Sequence, residues 1–190
     1  MRLTSSRQGR VALALLILVI LLVVASQSGW LGKKTNFVAA DLGFYKVASF
    51  VDGDTLVVDM NGAQETIRFI GVDTPETHKP NTPVQCYGSE AADYTKQLIG
   101  KNPVRLQADP LDTNRDRYGR LLRYIYLPDG RLIEEELIKN GYGFAYTSFP
   151  FEKKMRFSEL ERVAKEDKVG LWSACQPSLN QYGSYQSNPI

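Results

Sequence analysis

The sequence is poor in the residues that most metal-dependent hydrolases rely on. A single histidine, His78, and two cysteines stand among 190 residues. One imidazole excludes the zincin metalloproteases, histidine-rich zinc hydrolases and two-histidine zinc fingers, and two thiols cannot make a four-thiolate cluster. Excess charge of one sign is missing too, since 23 Lys and Arg face 21 Asp and Glu for a net charge of +2. What remains for chemistry is carboxylates, arginines, hydroxyls or a hard oxygen-bound cation. A hydrophobic content of 43% fits a folded domain.

Arg2, Arg7 and Arg10 precede an uncharged run over residues 11–25 made almost wholly of Leu, Ile, Val and Ala. The pattern is an export signal. The run is shorter than the roughly 20 residues of a spanning helix, although it can extend through Trp30 and Leu31. The expectation is an N-terminal hydrophobic helix over residues 1–32 that stays in place as a membrane anchor. Secretion after cleavage near Val23-Val24-Ala25 is the alternative. A linker over residues 33–43 follows, and the remainder lies outside the cytoplasm. Without residues 1–32 the chain has 20 basic and 21 acidic groups, a net charge of −1. Nucleic acid would therefore be held by a local cluster rather than by bulk charge. Cys86 and Cys175 fall in a disulfide-permissive compartment, and an even pair invites a bridge.

Residues 44–51 and 55–59 read as a hairpin around the Asp52-Gly53-Asp54 turn, and Asn61-Gly62 turns the chain into a third strand over residues 65–72. A proline-bearing loop leads to Ser89-Glu90-Ala91-Ala92, a capping pattern that opens a helix ending near Gly100. Residues 104–108 and 121–126 read as two more strands. Helical spacing predicts a second helix over 132–140 and a third over 152–167. The tail over 176–190, rich in Ser, Asn, Gln and Tyr, is expected to be disordered. Together these elements predict an α+β fold, a small five-stranded barrel of the oligonucleotide-binding kind with three helices.

Two acidic junctions stand out. Asp-Gly is by itself a turn, and an acid before Thr-Pro is a common loop entry. Their conjunction is less ordinary: if both open onto one end of the barrel, Asp54 and Asp73 supply carboxylate oxygens and the Thr74 carbonyl a third ligand. Oxygen-only ligation suits calcium, with magnesium the second choice. Arg68 lies inside the apolar strand Ile67-Arg68-Phe69-Ile70, where a buried unpaired guanidinium is costly, so it must face an acid. Arg120 follows Tyr118-Gly119 at the start of another strand. Guanidinium forks match phosphate oxygens, and beside a divalent cation they would stabilise charge developing on phosphorus. The plain alternatives are a structural ion pair for Arg68 and a solvated turn residue for Arg120.

Four separated motifs now line up: Asp52-Gly53-Asp54-Thr55, Ile67-Arg68-Phe69-Ile70-Gly71-Val72-Asp73-Thr74-Pro75-Glu76-Thr77, Tyr87-Gly88-Ser89-Glu90-Ala91 and Asp116-Arg117-Tyr118-Gly119-Arg120. Their order and spacing resemble the staphylococcal nuclease (thermonuclease) family from about residue 46 to residue 172. The resemblance implies a five-stranded oligonucleotide-binding barrel over residues 44–175 that cleaves DNA and RNA with calcium, giving 3′-phosphate ends. It implies that Asp54, Asp73 and the Thr74 carbonyl bind the metal and that Arg68, Glu76 and Arg120 are catalytic. Tyr118, beside Arg117, and Tyr146 resemble the family's substrate-binding aromatics, Tyr146 only across a one-residue gap. A monomer is expected. The competing class is a barrel that binds nucleic acid without cutting it. One geometric difficulty precedes any structure: five residues separate Arg68 from Asp73, an odd number that puts them on opposite faces of a straight strand. A bend at Gly71 is required.

Overall fold

Local turn chemistry builds the first three strands. In the computed structural model, which describes residues 43–77, 83–181 and 183–189, strand β1 (Phe44–Asp52) returns as β2 (Thr55–Met60). The second turn has Asn61 and Gly62 at φ 58° and 91°, and the Gly62 N–H donates to Asp59 Oδ1 at 2.6 Å. Two left-handed residues in succession match the twist of a hairpin, and β3 (Ala63–Phe69) follows in antiparallel register with Arg68 opposite Thr55. β1 carries two register shifts on β2, and such bulges curve a sheet towards closure.

Closure comes from β5 (Val104–Gln107) and β6 (Leu121–Tyr126). β6 runs parallel to β3 with Arg68 opposite Leu122, β5 joins β6 to β1, and the five strands form a closed barrel in the order β1-β2-β3-β6-β5. Inward residues Leu56, Val58, Ile67, Leu106 and Ile125 are wholly buried. Helices α1 (Gly88–Ile99), α2 (Ile133–Lys139) and α3 (Lys154–Glu166) cover the barrel, with α2 packed between the other two.

Four expectations need correction or fall outside the described residues. The strand expected over 65–72 stops at Phe69. Gly71 has φ 73°, a conformation that favours glycine, and a Cβ there would approach Phe151 within 2.6 Å. The chain turns at this point into β4 (Val72–Asp73), which leaves the barrel to pair with β7 (Phe144–Ala145). Helix α1 begins at Gly88, after a left-handed Tyr87 and with no side-chain cap, so Ser89 sits inside the first turn instead of capping it.

The tail does not match a disordered segment. A short helix α4 (Leu171–Ala174) leads to a small hairpin of β8 (Ser178–Leu179) and β9 (Tyr185–Gln186). Its composition cannot build a core of its own; it borrows one. The Tyr185 ring lies 6.2 Å from Phe144 and 5.0 Å from Trp172, with the Lys165 ammonium 4.5 Å from its face. The N-terminal hydrophobic helix expected over residues 1–32 lies outside the described residues. Among those described, no helix is long and apolar enough to cross a membrane.

Candidate active site

Asp54 closes the β1–β2 turn with its carboxylate almost buried. Oδ2 accepts from the Thr74 N–H at 2.8 Å and the Thr74 hydroxyl at 3.1 Å, and Oδ1 accepts from the Thr55 hydroxyl at 2.9 Å. A buried carboxylate needs such donors. The turn itself is held from α1, where the buried Thr95 hydroxyl donates to the Gly53 carbonyl at 2.6 Å. Gly53 must lack a side chain here, because a Cβ would meet Thr74 Oγ1 at 2.7 Å.

Arg68 gathers the cluster. Its Nη1 lies 3.1 Å from Asp54 Oδ2 and donates to the Val72 carbonyl at 2.7 Å, while Nη2 donates to Asp73 Oδ1 at 2.7 Å. The turn at Gly71 makes this possible by folding β4 back beside the end of β3, which removes the parity conflict between positions 68 and 73. Burial pulls the guanidinium pKa down, but Asp54, then Asp73 and Glu76, outweigh it and hold the pKa above its ordinary value. The Arg68 side chain is 13% exposed and that of Asp73 is 43% exposed, so the pocket opens on the Asp73 side.

Glu76 lies on the loop beyond Pro75. Its N–H donates to Gln85 Oε1 at 2.9 Å, and its charge is felt by Arg68 and by Asp52. Asp52 accepts from the Gly53 N–H and from the Thr77 hydroxyl at 3.0 Å, and burial, then Asp54, raises its pKa. Tyr146 follows β7 directly. Its N–H donates to the Gly71 carbonyl at 2.8 Å, and its side chain is within electrostatic reach of Arg68.

Arg120 is built differently. Its Nε donates to Asp116 Oδ2 at 2.7 Å, and Asp116 Oδ1 accepts the Arg120 and Tyr118 amides. Burial opposes the effect, but the Arg120 hydrogen bonds hold the Asp116 carboxyl below its usual range. Parallel pairing places Arg120 at the mouth of β6, two residues before the position opposite Arg68. Tyr118 is 69% exposed beside it, and Arg117 Nη2 donates to the Tyr118 hydroxyl at 2.8 Å with its guanidinium 4.8 Å from the ring. Arg117 and Tyr118 thus form an exposed rim beside Arg120, at the start of the strand that pairs with β3.

Two strand junctions far apart in the chain therefore deliver Asp54 and Asp73 to one guanidinium, with Thr74 hydrogen-bonded to Asp54 and the charge of Glu76 within reach. Sequence reasoning gave no role to Thr55 and Asp116, which stand inside quoted motifs, nor to Thr95 and Gln85. Asp116 carried a signal, an acid four residues before Arg120 in a tight turn; Thr95 carried none. Among the described residues no group of three or more His, Cys, Asp or Glu side chains forms a metal cluster. The donor chemistry still fits a hard cation: two carboxylates converge on one positive charge, and one of them faces solvent.

Comparisons with known proteins give the family. A family profile described as Staphylococcal nuclease homologue matches residues 66–174. The chain is 39% identical to a thermonuclease of Staphylococcus hyicus, over 83% of this chain and 95% of that protein. It is 35% identical to a thermonuclease of Staphylococcus intermedius, over 86% and 95% respectively. A third similarity, at 44% identity, is to endonuclease YncB of Bacillus subtilis, over 65% of this chain and 58% of that protein.

Proposed function

The chain belongs to the staphylococcal nuclease family, and on that premise we propose that it hydrolyses DNA and RNA phosphodiesters at the Arg68 cluster with little sequence preference, in the presence of calcium. One observation carries the reading: Asp54 and Asp73, from separate strand junctions, converge on the same guanidinium at 3.1 and 2.7 Å. A protein that only bound nucleic acid would have no physical need to assemble them.

Asp54, Asp73 and the Thr74 carbonyl would hold calcium. Bound there, the ion supplies Lewis-acid polarisation of a phosphoryl oxygen. The chain's own groups do the rest. Glu76 orients or deprotonates the attacking water. Arg68, held rigid by four acceptors, presents a preformed positive site for the extra charge on phosphorus, and Arg120 supplies a second guanidinium from the rim. The leaving group is the 5′ oxygen, which gives 3′-phosphate ends. Tyr118 and Tyr146 offer faces for bases to stack on, and neither contact reads sequence. The basic start followed by an apolar run, together with the Cys86–Cys175 bridge, supports a site of action outside the cytoplasm, with residues 1–32 as the anchor.

The full chain tested on labelled single-stranded DNA and RNA, with calcium and with chelator, decides the matter. Cleavage that needs calcium is expected, and Glu76→Gln should lower kcat by about 10²–10⁴-fold while binding persists. Equal degradation by both proteins would refute the assignment. Binding without cleavage by the wild-type chain would leave the non-catalytic barrel.

A further inference from the structure

The backbone of Glu76 is tied twice to one residue that the catalytic reading does not use. The Glu76 N–H donates to Gln85 Oε1 at 2.9 Å, and the Gln85 N–H donates to the Glu76 carbonyl at 2.9 Å. This reciprocal pair closes the loop between them at its base. A carboxylate that must aim at a water is only as well placed as its backbone, and small displacements are expensive in rate.

Gln85 is in turn anchored from the far end of the chain. Cys86, its neighbour, is bridged to Cys175 with Cα atoms 5.9 Å apart. The Cys86 N–H donates to the Asn188 carbonyl at 2.8 Å, and the Cys86 carbonyl accepts from the Ser187 hydroxyl at 2.7 Å. Gln85 also forms an isolated bridge with Pro189, and Asn188 Oδ1 accepts the Gln176 N–H at 2.9 Å. Ser187 is buried. The hairpin that carries these residues is seated by Tyr185 on Phe144, whose backbone pairs with Asp73. The tail thus reaches the site from two sides.

We propose that Gln85 is a positioning residue for Glu76, and that the Cys86–Cys175 bridge and the C-terminal hairpin form a clasp holding it, so that cleavage is fast only in the oxidised, full-length chain. The inference rests on the reading that Glu76 acts on the attacking water.

The test uses the full chain with calcium and a single-stranded oligonucleotide. Gln85→Leu removes the acceptor and should lower kcat about tenfold or more with KM changed by less than about twofold. Gln85→Glu keeps an acceptor oxygen and should recover most of the rate. In a Glu76→Gln background, Gln85→Leu should add less than about twofold, since it acts through Glu76. A second readout does not depend on activity. Dithiothreitol reduces the bridge to two thiols and is itself oxidised to a cyclic disulfide, after which the Glu76 and Gln85 amides should exchange hydrogen faster than in the oxidised wild type. If Gln85→Leu does not fold, this arm decides. Wild-type cleavage with an unaffected Gln85→Leu, no recovery in Gln85→Glu, or unchanged exchange on reduction would overturn the positioning role alone. A wild-type chain that cuts neither DNA nor RNA would refute the nuclease reading itself.

Discussion

Arg68, near the end of β3, and Arg120, just before β6, belong to paired strands of the same barrel wall, yet the protein holds them in opposite ways. Arg68 is nearly buried and is gripped by Asp54 and Asp73, residues contributed by two other strand junctions. Arg120 is held by Asp116, four residues before it in a turn that faces solvent next to the exposed Tyr118. Contacts between distant parts of the chain give a rigid site, because moving one member moves whole strands. A local turn gives an adjustable rim, because it can change shape without disturbing the core. On the proposed function the first would fix a phosphate in one place and the second would accept bases of any identity.

Removing each arginine should break this comparison open. Arg68→Ala is expected to lower kcat by about 10²–10³-fold and to cost about 3 kcal/mol in urea unfolding, since Asp54 is left buried without its cation. Arg120→Ala should lower kcat on a similar scale but change stability by less than about 1 kcal/mol, as expected for a solvent-facing ion pair. Equal stability loss in both variants would mean that the rim is as rigid as the cluster.

The bridge ties down the cluster side through Cys86, the neighbour of Gln85. The double variant Cys86→Ser with Cys175→Ser should lose about 2–5 kcal/mol, because the bridge closes a loop with a sequence separation of 89. Its kcat should fall more than its affinity for oligonucleotide. Calorimetry and steady-state kinetics on one preparation would show both. On the rim, Tyr118→Ala is expected to weaken oligonucleotide binding by about 1–3 kcal/mol with an unchanged melting temperature. Fluorescence anisotropy at two salt concentrations would measure it and should show affinity falling with salt.

A buried acid of another kind sharpens the contrast. Glu134 is fully buried, and its carboxylate meets the Ile125 N–H at 3.1 and 3.2 Å rather than a guanidinium. Burial raises its pKa well above 4.5, the backbone hydrogen bonds only partly opposing it. A carboxyl whose folded pKa exceeds its unfolded one stabilises the fold fully below the unfolded value, and that stability is lost as pH rises through the folded value. The melting temperature of the wild type relative to Glu134→Gln should therefore drop as pH rises above about 4.5. A difference that does not change with pH would mean Glu134 titrates normally.

Much of the barrel was legible because its signals are local. Asn61-Gly62 marks its own hairpin, and Asp52-Gly53-Asp54 marks the turn before it. The requirement for a bend at Gly71 was also readable, from the parity of positions 68 and 73. Its consequence was not: β4 leaves the barrel to find β7, and nothing near residue 72 names Phe144 as a partner. The Thr95 contact with the Gly53 carbonyl spans 42 positions and the Ser187 contact with the Cys86 carbonyl spans 101. The polar tail departs from expectation for the same reason. Its order comes from Phe144, Trp172 and Lys165, which composition within the tail cannot reveal.

On the proposed function, Asp54 and Asp73 would hold calcium where Arg68 can share a phosphate with it. The rate of oligonucleotide cleavage, titrated with calcium for the wild-type chain and for Asp73→Asn, tests it most directly. A wild-type rate that saturates with calcium and disappears with chelator, and a half-saturating concentration raised about tenfold or more in the variant, is the expected result. Cleavage indifferent to calcium, or the same half-saturating concentration in both proteins, would contradict it.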